Sequence, residues 1–142
     1  MTAAKDQAGP SALAPPHAPL AAKLGAASYA VWALLHLQAA WAVYQLGRHG
    51  APSMVQGRLF QDAWNLACFS AAGIGVALTL NWRNNRWGYW INLAVIGVAD
   101  TGFIIFVLVP GYVPPWPGLL GPLVWLVGLA LTTIGLAHGR QR

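Results

Sequence analysis

Four long apolar runs, separated by short polar or proline-containing segments, dominate the hydrophobic pattern of this chain. They cover residues 24–46, 63–82, 87–109 and 119–138. Each run has about the ~20 residues that a helix needs to cross the hydrocarbon core of a bilayer. Backbone groups in lipid must be hydrogen-bonded within the protein, and runs of this length exceed barrel strands. The pattern therefore predicts four transmembrane helices.

The segments between the runs decide how these helices are arranged. Residues 1–22 contain four prolines among alanines, which predicts a disordered cytoplasmic tail. The connections within residues 23–142 are short, for example the basic sequence RNNR at 83–86, and short connections favour antiparallel neighbours. The predicted fold is an all-α membrane protein, a four-transmembrane-helix antiparallel bundle.

Composition supports a membrane location and argues against nucleic acid as a partner. The chain is 57% hydrophobic and 8% charged, whereas soluble domains carry about a quarter charged residues. The net charge is +5, but the basic residues are scattered singly at the ends of apolar runs. That distribution is typical of topology signals and anionic headgroup contacts. The abundance of alanine, glycine and proline beside few lysines suggests a bacterial source.

Lysine and arginine counts predict the orientation. With a cytoplasmic N-terminus, two of these residues lie outside, Arg48 and Arg58, and six lie inside. The inside set is Lys5, Lys23, Arg83, Arg86, Arg140 and Arg142. Because positive residues are retained on the cytoplasmic side, we expect a multi-pass protein of the inner (plasma) membrane with both termini cytoplasmic.

Two ionisable residues are predicted to lie near the middle of the membrane. Asp100 is the one charged residue in run 87–109, and at ~1.5 Å per residue it lies ~14 Å from the outer end of that run. His36 lies ~15 Å from the outer end of the first run by the same measure. A carboxylate at this depth is costly and needs a partner or a proton. Asp100 and His36 are therefore a candidate catalytic acid–base pair, although a purely structural pair between two helices meets the same demand.

Other polar and aromatic residues complete a candidate binding site. Asn92 shares a helix face with Asp100 because the two are eight residues apart. The full candidate binding set is Asn92, Asn65, Asp62, Tyr29, Trp32, Trp41, Phe69 and Trp125. The aromatic members are expected to shape an apolar pocket or steady a cation. The structural alternatives are interhelical hydrogen bonds for the asparagines and a helix cap for Asp62.

The residue inventory predicts no cofactor and no metal. A lone cysteine, Cys68, cannot form an intrachain disulfide, and cysteine-based metal sites need more thiols. A haem with two protein ligands needs a partner for His36 at similar depth, but His138 lies at the inner end. A retinal Schiff base needs a lysine deep in a span, and no apolar run contains one.

Three classes of function remain open. The first is a non-catalytic membrane component that binds a lipophilic molecule or a larger membrane complex through its helices. The second is a membrane-embedded enzyme of isomerase, cyclase or hydrolase type, in which Asp100 and His36 perform acid–base chemistry on a lipophilic substrate. The third is a small proton-linked transporter, which would need to form a homodimer. A cavity of ~300 Å³ beside Asp100 favours the second and third classes, and a filled interior favours the first.

Overall fold

The computed structural model describes residues 18–139, and within them every long element is helical. Helix α1 is Leu20–Arg48, α2 is Met54–Thr79, α3 is Arg86–Phe103, α4 is the short Pro115–Gly118 and α5 is Leu120–Gly139. A 3₁₀ turn, Asn81–Arg83, follows α2, and a π-helical turn, Ile104–Leu108, extends α3. Helix α1 begins within the tail predicted for residues 1–22. The rest of that tail, 1–17, lies outside the described residues, as do 140–142.

Four of the described segments are long and apolar enough to cross a membrane. They are Leu20–Arg48, Met54–Arg83, Arg86–Leu108 and Leu120–His138. These segments contain the four apolar runs, except that residues 109 and 119 fall outside them. The prediction of an all-helical chain with four apolar helices, compatible with a multi-pass membrane protein, is confirmed for residues 18–139.

Helix α2 begins well before the apolar run that starts at residue 63. Ser53 caps it, because its Oγ accepts the backbone N–H of Gln56 at 3.2 Å. The Gln56 side chain then donates to the carbonyl oxygens of Gly47 and Gly50, at 3.0 and 3.2 Å, which ties α2 to the end of α1. Asp62 lies inside α2 and is exposed. The assignment of Asp62 as a helix cap is wrong, because α2 already begins at Met54.

The connection between α2 and α3 is built from asparagines. Asn84 adopts a left-handed backbone conformation with φ of 56°, which asparagine tolerates better than most residues. Its Nδ2 donates to the carbonyl of Gly135 at 3.0 Å and so ties the turn to α5. Asn85 caps α3, because its Oδ1 accepts the N–H of Trp87 at 2.8 Å.

Helix α3 changes its hydrogen-bonding pattern shortly after Asp100. Over Ile104–Leu108 the backbone forms a π-helical turn, in which the N–H of Val109 donates to the carbonyl of Ile104 at 2.8 Å. Such turns are often found at functional sites in helices. The span ends at Leu108, and Gly111, with φ of 78°, reverses the chain.

Helix α1 supplies most of the buried contacts. One third of its apolar window (33%) is buried, compared with 17% for α3. The core consists of Tyr29, Trp32 and Ala33 of α1, together with Ala77 of α2 and Ile96 of α3. Close approach to α5 depends on glycine, since a Cβ at Gly25 would lie 2.6 Å from Cγ2 of Thr132. The core thus surrounds the middle of α1, where the candidate site lies.

Candidate functional site

The candidate site is centred on one face of α3. Asn92, Ile96 and Asp100 follow one another at intervals of four residues, and all three are buried. Asp100 has no exposed surface at all. The helical spacing therefore places this carboxylate toward the other helices and away from the lipid-facing surface of α3.

Trp32 of α1 makes the shortest polar contact with Asp100. Its indole Nε1–H donates to Oδ2 of the carboxyl group at 2.9 Å. Trp32 is itself almost completely buried. Because both groups are removed from solvent and lipid, this hydrogen bond joins α1 to α3 in the interior of the molecule.

His36 lies one turn further along α1 and contacts both residues. Its Nε2 is 3.4 Å from Oδ1 of Asp100. Its imidazole stacks on the Trp32 indole, with ring centroids 3.8 Å apart and an interplanar angle of 25°. Its Nδ1 lies 2.9 Å from the backbone carbonyl oxygen of Trp32. We call Trp32, His36 and Asp100 the buried triad.

The two ring nitrogens of His36 have different neighbours. A backbone carbonyl can only accept a hydrogen bond, so Nδ1 of His36 carries a proton. In the neutral ring, Nε2 is then an acceptor, and it faces Oδ1, which is also an acceptor when the carboxyl group is ionised. Two acceptors repel one another unless a proton lies between them. Nε2 and Oδ1 lie side by side at 3.4 Å, and within the described residues Oδ1 has no partner that meets hydrogen-bond geometry.

Glycine allows α5 to close over this pair. A Cβ at Gly121 would lie 3.0 Å from Cε1 of His36 and 3.9 Å from Oδ1 of Asp100. Within the described residues, Oδ1 has no partner that meets hydrogen-bond geometry. The side chain of His36 keeps 13% of its surface exposed, whereas that of Asp100 keeps none. Of these two side chains, the imidazole thus reaches the surface of the molecule and the carboxyl group does not.

A second set of buried polar contacts lies further along the same helices. Asn92 donates from Nδ2 to Oδ1 of Asn81 at 3.0 Å, so both amides are engaged within the protein. The hydroxyl of Tyr29 lies 3.3 Å from Oγ1 of Thr132 and links α1 to α5. Asn92 and Tyr29, both candidate binding residues, are thus buried and occupied by protein partners.

The remaining candidate residues are not brought to the triad. Asp62 and Asn65 are exposed on α2. Trp41 and Phe69 are 58% and 46% exposed. Trp41 lines a shallow apolar groove of about 430 Å³ between α1 and α2, together with Trp64 and Phe60. The expected single site is therefore divided into an enclosed triad and separate outer surfaces.

Trp125 occupies a different position again. It is half-buried on α5, packs over Gly97 and lines a second shallow groove of about 310 Å³ beside α3. Asp100 and His36 line neither this groove nor the one at Trp41. Among residues 18–139, His, Cys, Asp and Glu form no group of three or more that could hold a metal ion.

Sequence reasoning missed how Trp32, Asn81 and Gly121 take part in the site. Trp32 and His36 are four residues apart, so their shared helix face was a usable signal that the indole accompanies the imidazole. Asn81 lies at the end of an apolar run, and its pairing with Asn92 depends on the 3₁₀ turn. Gly121 carries no side-chain signal, because its role is to leave space.

The buried triad joins α1 to α3 through the Trp32–Asp100 hydrogen bond and places an imidazole beside a carboxyl group. Comparison of the chain with protein-family models, curated proteins and solved structures found no match. The function is therefore argued from the geometry of these residues.

Proposed function

We propose that this chain is a small multi-pass membrane protein that acts as a non-catalytic component. It binds a lipophilic molecule or a partner complex through the outer faces of its helices. In this proposal the buried triad joins α1 to α3 and does no chemistry. The supporting observation is the complete enclosure of Asp100 by Trp32, His36 and the α5 backbone at Gly121.

Enclosure matters because a general acid or base must come within about 2.6–3.2 Å of the atom that it protonates. Oδ2 of Asp100 is already occupied by the Trp32 indole. Oδ1 faces His36. A substrate would have to displace packed side chains to reach either oxygen, whereas the grooves on the helix surfaces are open to lipid-dissolved molecules.

The proposal includes an antiparallel bundle in a bacterial inner membrane, with both termini in the cytoplasm. Contacts at one end support this arrangement, since Ala22 near the start of α1 meets Gly135 near the end of α5. Lys23 lies 5.9 Å from the ring centroid of Trp82 at the end of the second span. The excess of lysine and arginine at this end supports its assignment to the cytoplasmic side.

Two substitutions of Asp100 test the structural role of the triad. In Asp100→Asn, the amide oxygen can accept from Trp32 and the amide N–H can donate to Nε2 of neutral His36. We expect its free energy of unfolding in nanodiscs to stay within about 1 kcal/mol of the wild type. Asp100→Leu leaves the buried Trp32 N–H without an acceptor, which costs about 1–3 kcal/mol.

The same Asp100→Asn variant tests the non-catalytic role. Lipophilic molecules that co-purify with the protein are extracted and identified by mass spectrometry. We expect the same molecules, in the same amounts, from wild type and variant. Equal destabilisation by Asn and Leu would contradict the hydrogen-bonding role, because only asparagine can replace both contacts.

A membrane-embedded acid–base enzyme is the second candidate, favoured by the 3.4 Å approach of the His36 imidazole to the Asp100 carboxyl group. In that mechanism, Asp100 donates a proton to one position of a lipophilic substrate, His36 accepts a proton from another position, and that proton then passes back to Asp100. The Asp100→Asn variant would then remain folded but accumulate a bound molecule chemically different from that of the wild type. This outcome separates the two candidates in one experiment.

A further inference from the structure

The groove between α3 and α5 combines an apolar lining with unsatisfied polar groups. It has a volume of about 310 Å³, which is at the lower end of the range for small-molecule sites. Its lining residues are Leu93, Ala94, Gly97, Val98, Thr101 and Trp125. We call it the α3–α5 groove.

Trp125 brings an unpaired N–H group to this groove. Its Nε1 is buried and has no hydrogen-bond partner within the described residues. The six-membered ring of the indole faces Gly97, since Cζ2, Cε2 and Cη2 lie 3.1, 3.8 and 3.8 Å from the position of a Cβ there. An unpaired donor at membrane depth is costly, because no water is present to satisfy it.

Thr101 brings an unpaired hydroxyl to the same groove. Five other hydroxyls in the spans donate to the carbonyl four residues earlier, as is common in helices. They belong to Ser28, Ser70, Thr79, Thr132 and Thr133. Thr101 is exposed, and its hydroxyl makes no hydrogen bond within residues 18–139. Its hydroxyl is therefore free to donate to a molecule in the groove.

We propose that the α3–α5 groove binds a lipid-soluble carbonyl compound. The carbonyl oxygen accepts from the Thr101 hydroxyl and from Trp125 Nε1–H, which reaches it after a small tilt of the half-buried indole. The apolar part of the ligand packs against Leu93 and Val98. This inference rests on the proposed non-catalytic function and names the class of lipophilic molecule that the protein takes.

The depth of the groove distinguishes this ligand from ordinary phospholipid. Thr101 adjoins Asp100 in α3 and lies ~12 Å from residue 109 at ~1.5 Å per residue. That position is inside the ~30 Å hydrocarbon core. Phospholipid ester carbonyls lie at the interface, outside that core. The occupant is therefore a molecule whose carbonyl group dissolves in the core itself.

The test uses full-length protein in nanodiscs, with the tryptophan indoles labelled with ¹⁵N. The probe is a short-tailed alkyl benzoquinone, and the matched control probe is a benzene ring with the same alkyl tail. We expect the quinone to cause a saturable shift of the Trp125 indole N–H signal, which is assigned with Trp125→Phe. The alkylbenzene should leave that signal in place, because it has no acceptor oxygen.

Three variants test whether the quinone binds in the α3–α5 groove. Thr101→Val removes the hydroxyl with little change in shape, and we expect it to weaken quinone binding about tenfold. Thr79→Val is the matched control, since Thr79 is also exposed but donates to Gly75 within its own helix. Ala94→Leu fills the groove and should abolish binding.

Three results would overturn the inference. They are no shift of Trp125, equal responses to quinone and alkylbenzene, or equal effects of the two threonine variants. None of these results affects the Asp100→Asn experiment. The proposed class of ligand can therefore be refuted while the proposed non-catalytic function still stands. A chemically different molecule accumulating in Asp100→Asn would instead refute the role and leave the groove measurement valid.

Discussion

Three side chains at the middle of the spans, those of Trp32, His36 and Asp100, contact one another. The carbonyl of Trp32 fixes the proton on Nδ1 of His36, and this leaves Nε2 to face Asp100. The Trp32 indole satisfies the other carboxyl oxygen. A carboxyl group that is costly in lipid is thereby kept inside the protein, with the Trp32 N–H on Oδ2 and the His36 imidazole 3.4 Å from Oδ1.

The imidazole nitrogen facing Asp100 should contribute measurably to stability. His36→Phe keeps a ring to stack on Trp32 but removes the nitrogen that lies 3.4 Å from Oδ1. We expect a loss of about 1–3 kcal/mol in the free energy of unfolding, measured by denaturant titration in micelles. His138→Phe is the control, because the Nδ1 of His138 makes the same kind of contact with Ile134 at 2.9 Å but is exposed. Equal losses in both variants would contradict a specific contribution from the triad.

Individual contacts were only partly predictable from the sequence. Depth follows from counting residues along a helix, so Asp100 and His36 were placed at one level, and the structure puts them 3.4 Å apart. The direction in which each helix face points depends on how the helices rotate against one another. That rotation is set by close contacts such as Gly121 on His36, which residue counting cannot supply. Trp41 and Phe69 were for this reason grouped with a centre that they do not reach.

At the scale of the elements, lipid as solvent made the four helices predictable. Backbone groups in a bilayer require internal hydrogen bonds, so long apolar runs can only be helices here. Hydropathy did not predict where the helices end. Helix α2 begins at Met54 because Ser53 caps it, and α3 ends in a π-helical turn. Helix ends depend on local capping chemistry, which hydropathy does not report.

Close contact between α1 and α5 should depend on Gly25. In Gly25→Ala, the new Cβ would lie 2.6 Å from Thr132 Cγ2 and 3.0 Å from the Thr132 backbone nitrogen. Because backbone cannot move aside cheaply, we expect a loss of about 1–3 kcal/mol in unfolding free energy. Gly75→Ala in α2 meets nothing within 4 Å and should be neutral or stabilising by up to about 1 kcal/mol. Similar losses in both would indicate that α1 and α5 are not closely packed in the membrane.

At the scale of the whole molecule, charge distribution should set the orientation. Reporter fusions provide the measurement. Green fluorescent protein at the C-terminus should fluoresce in the cytoplasm, and alkaline phosphatase inserted at Gly50 should be active outside, because the lysine and arginine excess keeps the opposite end inside. Active phosphatase fused at the C-terminus would contradict the proposed orientation.

The stacking of His36 on Trp32 also supplies an optical reporter inside the molecule. An imidazole in contact with an indole quenches its fluorescence. The two rings are 3.8 Å apart, so the emission of Trp32 depends on how closely His36 packs against it. The chain has 8 tryptophans, and the difference spectrum between wild type and Trp32→Phe isolates this signal. The packing around the membrane-buried carboxyl group can thus be followed by light, without any added label.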